Sequence, residues 1–258
     1  MIMAQSHQII FGVNPVLEKL NASSEDVQEI LISQGSDRSA LRHISREAAR
    51  RGVRLVNVDP KLLDRLVGGH RHQGVVARVE AFRYLAFVEL LERIAPPSIA
   101  ERILILDGLT DPRNFGALLR TAEAAGVRHV VIPKDRSVEV TPLVVKASAG
   151  AVHHLDISKV TNLRRAIADL KKNGFWVVGL AAGSGESIYG RSYPTRLVIV
   201  LGSEGTGIRP INQRECDFLV SIPMLGQVSS LNVSVAAAVF LYELFRQSPE
   251  VDTHEARS

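Results

Sequence analysis

Three stretches of the 258-residue chain combine glycines with polar side chains able to bind or orient a reacting group. In "LDGLTDPRNFGALLRTAEAAG" (Leu106–Gly126), helical periodicity turns Phe115, Leu118, Leu119 and Ala122 inward. Arg120 is left on the other face with Gly116, Ala117, Glu123 and Ala124. An arginine among such small neighbours lies in a trough that a ligand or another backbone can approach; an ordinary surface pair with Glu123 is the alternative. In "VLGSEGTGIRP" (Val200–Pro210), an apolar strand runs into Gly202, Gly205 and Gly207, with Glu204 held between them. This is neither a Walker A loop, which ends in Gly-Lys-Ser/Thr, nor the GxGxxG dinucleotide fingerprint. The glycines let the main chain pass close to a ligand, or simply make a tight turn. In "IPMLGQVSSLNVSVAAAVF" (Ile222–Phe240), Ser230 or Asn232 can cap the helix that follows. Together they would set hydroxyl, amide and backbone donors beside the glycine loop.

Other candidates point to binding rather than chemistry. His70 and His72 in "GGHRHQG" (Gly68–Gly74) are metal ligands by type, but no Cys or carboxylate stands at zinc-finger spacing, so no metal is expected. Arg38, Arg42, Arg46, Arg50 and Arg54 recur four apart. Where helical, they form a stripe that drifts only about 40° per step. Such a stripe is a solvated face or a phosphate-tracking surface, to which guanidinium forks are well suited. The 31 Lys and Arg against 27 Asp and Glu give a net charge of +4, which permits a polyanionic partner without demanding one.

Composition excludes several classes. A hydrophobic fraction of 46% excludes a disordered or fibrous chain. A single cysteine, Cys216, cannot form an intramolecular disulfide and favours a reducing compartment. No apolar run reaches the ~18 to 20 residues of a membrane span. The opening "MIMAQSHQII" lacks the basic region of a secretion signal, so a cytoplasmic protein is expected.

The elements that must position these residues alternate between the periods of helix and strand. "NPVLEKL" predicts a helix with Asn14 as N-cap and Pro15 at the first helical position. Val27–Ser33 reads as a strand, and 36–51 as a helix with Leu41, Ile44 and Ala48 facing inward. "VRLVNV" and "GVVARVEAF" add two more strands, completing a small α/β domain. From Phe82 to Ser98 the pattern loosens, and Pro96–Pro97 marks a linker. Beyond it, "RILILDGL", "RHVVIP", "FWVVGL", "RLVIVLG" and "FLVSIP" are continuous apolar strands, as in a parallel sheet buried on both faces. Helices are expected over 114–125, 161–173 and 232–247. The last is apolar around most of its circumference, so something must bury it on more than one side. Polar residues gather at the strand ends, where open parallel sheets bind ligands.

Taken together, and in this order, the three stretches resemble the motifs of the SpoU (TrmH-like) RNA ribose 2′-O-methyltransferases. The matching residues are Asn114-Phe-Gly116 with Arg120-Thr121-Ala122, then Gly202-Ser-Glu204-Gly205-Thr-Gly207, then Ile222-Pro-Met with Ser230-Leu231-Asn232-Val-Ser234. "FGVNPVLE" and "HQGVVARV" are similar to the family's N-terminal RNA-binding domain of ribosomal-protein L30e type. The resemblance implies an α/β chain of three parts: an RNA substrate-binding domain over 1–82, a linker over 83–98, and a parallel-sheet trefoil-knot methyltransferase domain over 99–258. It implies S-adenosylmethionine as cofactor, contacted by Gly202, Ile222 and Leu231, with no metal. It also implies a homodimer through the C-terminal domain, which would cover the over-apolar last helix. The implied substrate is a guanosine ribose in 23S ribosomal RNA. A tRNA or resistance-type rRNA methyltransferase, or a non-catalytic RNA-binding protein of the same fold, is the alternative.

By the same resemblance Arg120 is the catalytic residue, surrounded by Asn114, Glu204, Ser230 and Asn232. Methyl transfer to a ribose hydroxyl is an in-line displacement, and positioning alone can supply ~7 to 11 kcal/mol of its barrier. A guanidine base has to be neutral, whereas guanidinium groups ordinarily lose a proton only above pH ~12. Binding the target phosphate and stabilising the developing alkoxide is therefore the first role for Arg120, and a transient base the second. Glu204 is the alternative base. Arg42, Arg46 and Arg50, with the His70–Gly74 segment, are expected to hold the RNA.

Overall fold

The computed structural model describes residues 7–34, 38–94, 101–184 and 186–247. The first half of the chain carries β1 (His7–Phe11), α1 (Val13–Ser23), β2 (Val27–Ser33), α2 (Arg38–Arg50), β3 (Arg54–Val58), α3 (Pro60–Leu66), β4 (Val75–Glu80) and α4 (Phe87–Arg93). Next come β5 (Glu101–Asp107), α5 (Pro112–Ala124), β6 (His129–Pro133), α6 (Pro142–Ala147), β7 (Asp156–Val160) and α7 (Leu163–Lys172). The last part holds β8 (Trp176–Leu180), β9 (Glu186–Ser187), β10 (Arg196–Gly202), α8 (Pro210–Gln213), β11 (Phe218–Ser221) and α9 (Val233–Arg246). Two compact units result. One takes the residues up to Arg83 together with Glu139–His154; the other takes Tyr84–Val138 and the residues from Leu155 onward.

In the first unit a four-stranded sheet runs in the order β1-β4-β2-β3, antiparallel except for the β2–β3 pair. The face of α2 predicted to point inward does so, with Leu41, Ile44 and Ala48 buried. On α1 the expectation fails: the helix begins at Val13, after Gly12 at φ 99°, and Asn14 lies inside it rather than capping it. The reason is a substitute cap from a distant loop, since the Gln73 side-chain oxygen accepts from the Val13 N–H at 3.2 Å.

The second unit is built on a seven-stranded sheet in the order β7-β6-β5-β10-β8-β11-β9, parallel throughout. Ile103 and Ile105 of β5, with Val198 and Val200 of β10, pack with Leu163, Ile167 and Leu170 of α7. Leu104 and Leu106 alternate to the opposite face, where α9 lies along β10 and against α5. The stretch read as a linker contains α4, and Leu90 and Ile94 there are buried in this core. Residues 95–100, including Pro96–Pro97, lie outside the described residues. β7, which no apolar run announced, is the sheet's edge strand with Asp156, Ser158 and Lys159 in its five residues.

Two helices set the stage for the site. α5 starts at Pro112, two residues before the predicted start, because the Asp111 carboxylate caps it by accepting from the N–H groups of Arg113 at 2.7 Å and Asn114 at 2.9 Å. The Asn114 side chain is thereby free for other partners. α9 is capped by Asn232, as expected. It buries Val233, Ala237, Phe240, Leu241 and Leu244, but leaves Val235 and Tyr242 exposed at 47% and 51%.

Candidate active site

At the carboxyl end of β10 the chain folds back on itself so tightly that glycine is required. A Cβ on Gly202 would come within 1.9 Å of the Gly207 carbonyl carbon and 2.1 Å of the Ile208 nitrogen. Ser203 and Gly207 exchange both backbone hydrogen bonds, at 3.2 and 3.0 Å, and Gly207 takes φ 67°. The five-residue stretch Ser203–Gly207 is therefore a closed hairpin, and it carries Glu204.

Glu204 gathers the other motifs around one oxygen. Its Oε1 accepts from Asn114 Nδ2 at 3.1 Å, from Asn232 Nδ2 at 2.5 Å and from the Val233 N–H at 3.4 Å. Asn232 Nδ2 also donates to Asn114 Oδ1 at 3.0 Å, while its own Oδ1 accepts from the N–H and hydroxyl of Ser234. A carboxylate at the first turn of α9 is favoured by the helix dipole. The arrangement holds α5, the glycine loop and α9 in register. It also commits one oxygen of Glu204 to three donors, which favours an orienting group over a proton acceptor.

These loops border a cleft of about 880 Å³, within the ~300–1,000 Å³ of small-molecule sites. Gly202, Glu204, Ile222, Ser230, Leu231 and Asn232 all line it. Asn114 reaches its edge through Glu204 and Asn232. Arg120 does not join them: it is exposed on α5, outside the lining, and has no hydrogen bond or ion pair to any described residue. The alternative pair with Glu123 is thus not formed either.

Sequence reasoning passed over two features of the cleft. One is the Leu180–Gly183 turn after β8, which forms part of the wall. The other is Asp107, at the end of β5 and 1% exposed, which holds Arg209 and Asn212 at the exit of the glycine loop. Its signal was a lone carboxylate closing the apolar run "ILILD". Burial pushes the Cys216 thiol up to about 12, which disfavours the thiolate form.

The basic surface of the first unit is uneven. Arg50 is bound to Glu47 at 2.8 Å, Arg42 has a partner, and Arg46 has none among the described residues. The Arg38 side chain lies outside the described residues. His72 bonds Asp64 at 3.0 Å, and His70 stacks on Phe11 with centroids 5.8 Å apart. Among the described residues no group of three or more His, Cys, Asp or Glu is placed to hold a metal ion, and no helix is long and apolar enough to cross a membrane.

A parallel sheet whose strand-end loops converge on one ligand-sized cleft defines a cofactor-binding α/β protein. Comparison with known proteins gives the class. The model of the SpoU rRNA Methylase family matches residues 101–242, and that of the RNA 2′-O ribose methyltransferase substrate-binding domain matches residues 9–85. The chain belongs to the SpoU rRNA methylase family. It is 44% identical to the 23S rRNA (guanosine-2′-O-)-methyltransferase of Xanthomonas campestris, over 95% of this chain and 98% of that one. The enzyme of the same name from Shewanella oneidensis is 41% identical over 94% and 98%. A solved RNA 2′-O ribose methyltransferase superposes with a TM-score of 0.77 at 25% identity, covering 94% of this chain and 89% of the other. The SpoU methyltransferase of Streptomyces viridochromogenes, crystallised with its cofactor, gives 0.76 at 24%, covering 93% and 90%. The fold is thus the parallel-sheet α/β architecture of these methyltransferases, together with a smaller α/β unit.

Proposed function

We propose that this protein transfers a methyl group from S-adenosylmethionine to the ribose 2′-hydroxyl of a guanosine in 23S ribosomal RNA, in the cytoplasm. The observation that carries the reading is the convergence of the glycine loop and the Ser230–Asn232 loop on one cleft, with Asn114 joined to both. Curated relatives named for that reaction match almost end to end.

S-adenosylmethionine supplies a methyl group activated by a sulfonium sulfur. Gly202, Ile222 and Leu231 would hold it, and the cleft suits an amphiphilic nucleoside: Leu180, Leu201, Ile208 and Val233 are apolar, while the glycine loop offers main-chain donors and acceptors. Asn114, Glu204 and Asn232 act as a preorganised unit that fixes the approach to the cleft. Ser230 presents an exposed hydroxyl at the lining with no partner among the described residues, free to meet the RNA. Arg120 binds the target phosphate and stabilises the negative charge that develops on the attacking 2′-oxygen. Arg42, Arg46 and Arg50 contribute phosphate contacts in the substrate-binding unit. The exposed Val235 and Tyr242 of α9 meet a second copy of the chain in a homodimer.

The test is incubation of unmodified 23S rRNA and tRNA with the protein and methyl-labelled cofactor, followed by mapping of ribose methylation. One labelled guanosine in 23S rRNA is expected. Label confined to tRNA would reassign the substrate, and no label in either RNA would leave a non-catalytic RNA-binding protein.

A further inference from the structure

Asp107 is buried, charged and outside the cleft lining, yet its carboxylate governs the loop that forms the cleft. In the β5–β10 pairing it lies opposite Gly202, the residue at which the glycine loop departs. The same carboxylate takes the loop's exit. Oδ2 accepts from the Arg209 N–H at 2.9 Å and from Asn212 Nδ2 at 2.8 Å, and Oδ1 accepts from Arg209 Nε at 2.6 Å. Entrance and exit of the loop are thus referred to one rigid strand end. Asn212 is 2% exposed, so on that side the clamp is closed to water, and it also fixes the start of α8.

A buried carboxylate is costly unless its lone pairs are taken up, and here three donors do so, one of them the Arg209 guanidinium. An arrangement that demanding does more than end a strand. We infer that Asp107 is a positioning residue for the cofactor: through Arg209 and Asn212 it holds the Ser203–Ile208 hairpin in the shape that receives S-adenosylmethionine. This rests on the reading of the cleft as the cofactor site.

The experiment measures binding of S-adenosylhomocysteine by calorimetry, with thermal melting as a separate readout. Asp107→Asn keeps the side-chain volume but removes the charge and turns an amide toward the amide of Asn212. Affinity is expected to fall on the order of tenfold to a hundredfold, because small displacements of a preorganised site carry penalties of that size. The reciprocal exchange, Asp107→Asn with Asn212→Asp, restores the side-chain pair but not the acceptor that the Arg209 N–H shares with it, and is expected to recover part of the affinity. Wild-type affinity in a folded Asp107→Asn variant overturns the inference. So does a double variant that regains the melting temperature but none of the affinity, since Asp107 would then serve the fold alone. If Asp107→Asn fails to fold, Arg209→Met decides by the same readout, because it removes only the half-exposed partner: weakened binding supports the clamp and unchanged binding overturns it. Wild-type protein that binds no S-adenosylhomocysteine overturns the cofactor reading itself, a result distinct from any of these.

Discussion

The cleft at the end of β10 and two exposed arginines, Arg120 of α5 and Arg46 of α2, are organised in opposite ways. Around Glu204 the donors and acceptors of three motifs satisfy one another before any ligand arrives. Arg120 and Arg46 engage no described residue, and both stand in solvent or half in it. The contrast separates what must be rigid from what must wait. A small cofactor and a reacting ribose need geometry set in advance. A polyanion brings its own charges, and guanidinium groups left uncommitted lose no internal partner when it binds.

The largest effect that could break this contrast belongs to Arg120. Arg120→Ala is expected to lower single-turnover methylation by about 10²–10³ while folding and cofactor binding persist, the loss typical of removing one group that stabilises charge in the transition state. Arg120→Lys should recover little, because an ammonium group lacks the guanidinium fork. Near-normal turnover would remove Arg120 from the reaction and shift attention to Glu204.

Gly202→Ala tests the rigid side. With a Cβ 1.9 Å from the Gly207 carbonyl carbon, the loop has to move, and cofactor affinity is expected to fall roughly tenfold or more by calorimetry. An unchanged dissociation constant would show that the hairpin's shape does not matter to the ligand. Asn232→Ala removes both the cap of α9 and a strut of the Glu204 cluster, with an expected stability loss of about 1 kcal/mol in chemical denaturation.

A smaller effect is expected from the α2 stripe. Replacing Arg42, Arg46 and Arg50 together should flatten the salt dependence of RNA binding by at most ~0.9 log units per lost phosphate contact and leave cofactor affinity alone. Arg50, already bound to Glu47, should contribute least. An unaltered slope would make the stripe an ordinary solvated face. Finally, EDTA is expected to change cofactor affinity not at all.

The legible parts of the sequence were those where neighbouring residues share one environment. Buried parallel strands showed as unbroken apolar runs, and the inner face of α2 as a spacing of three and four. The members of the Glu204 cluster were legible as types but not as partners, because Asn114 and Glu204 are 90 residues apart. Asp107 was hidden for the same reason, its partners standing 102 and 105 positions away. α5 begins two residues before its expected start because Asp111 followed by Pro112 supplies an N-cap and a first-turn proline. Spacing put Arg120 on the exposed face of its helix; it carried no information on where that face points relative to the cleft.

The half-covered last helix has a consequence for how long the molecule lasts. If Val235 and Tyr242 are buried only when two copies meet, part of the folding free energy belongs to association and follows mass action. The midpoint of thermal unfolding should then climb as the protein is concentrated and fall as it is diluted, so that scarcity itself becomes a destabilising condition.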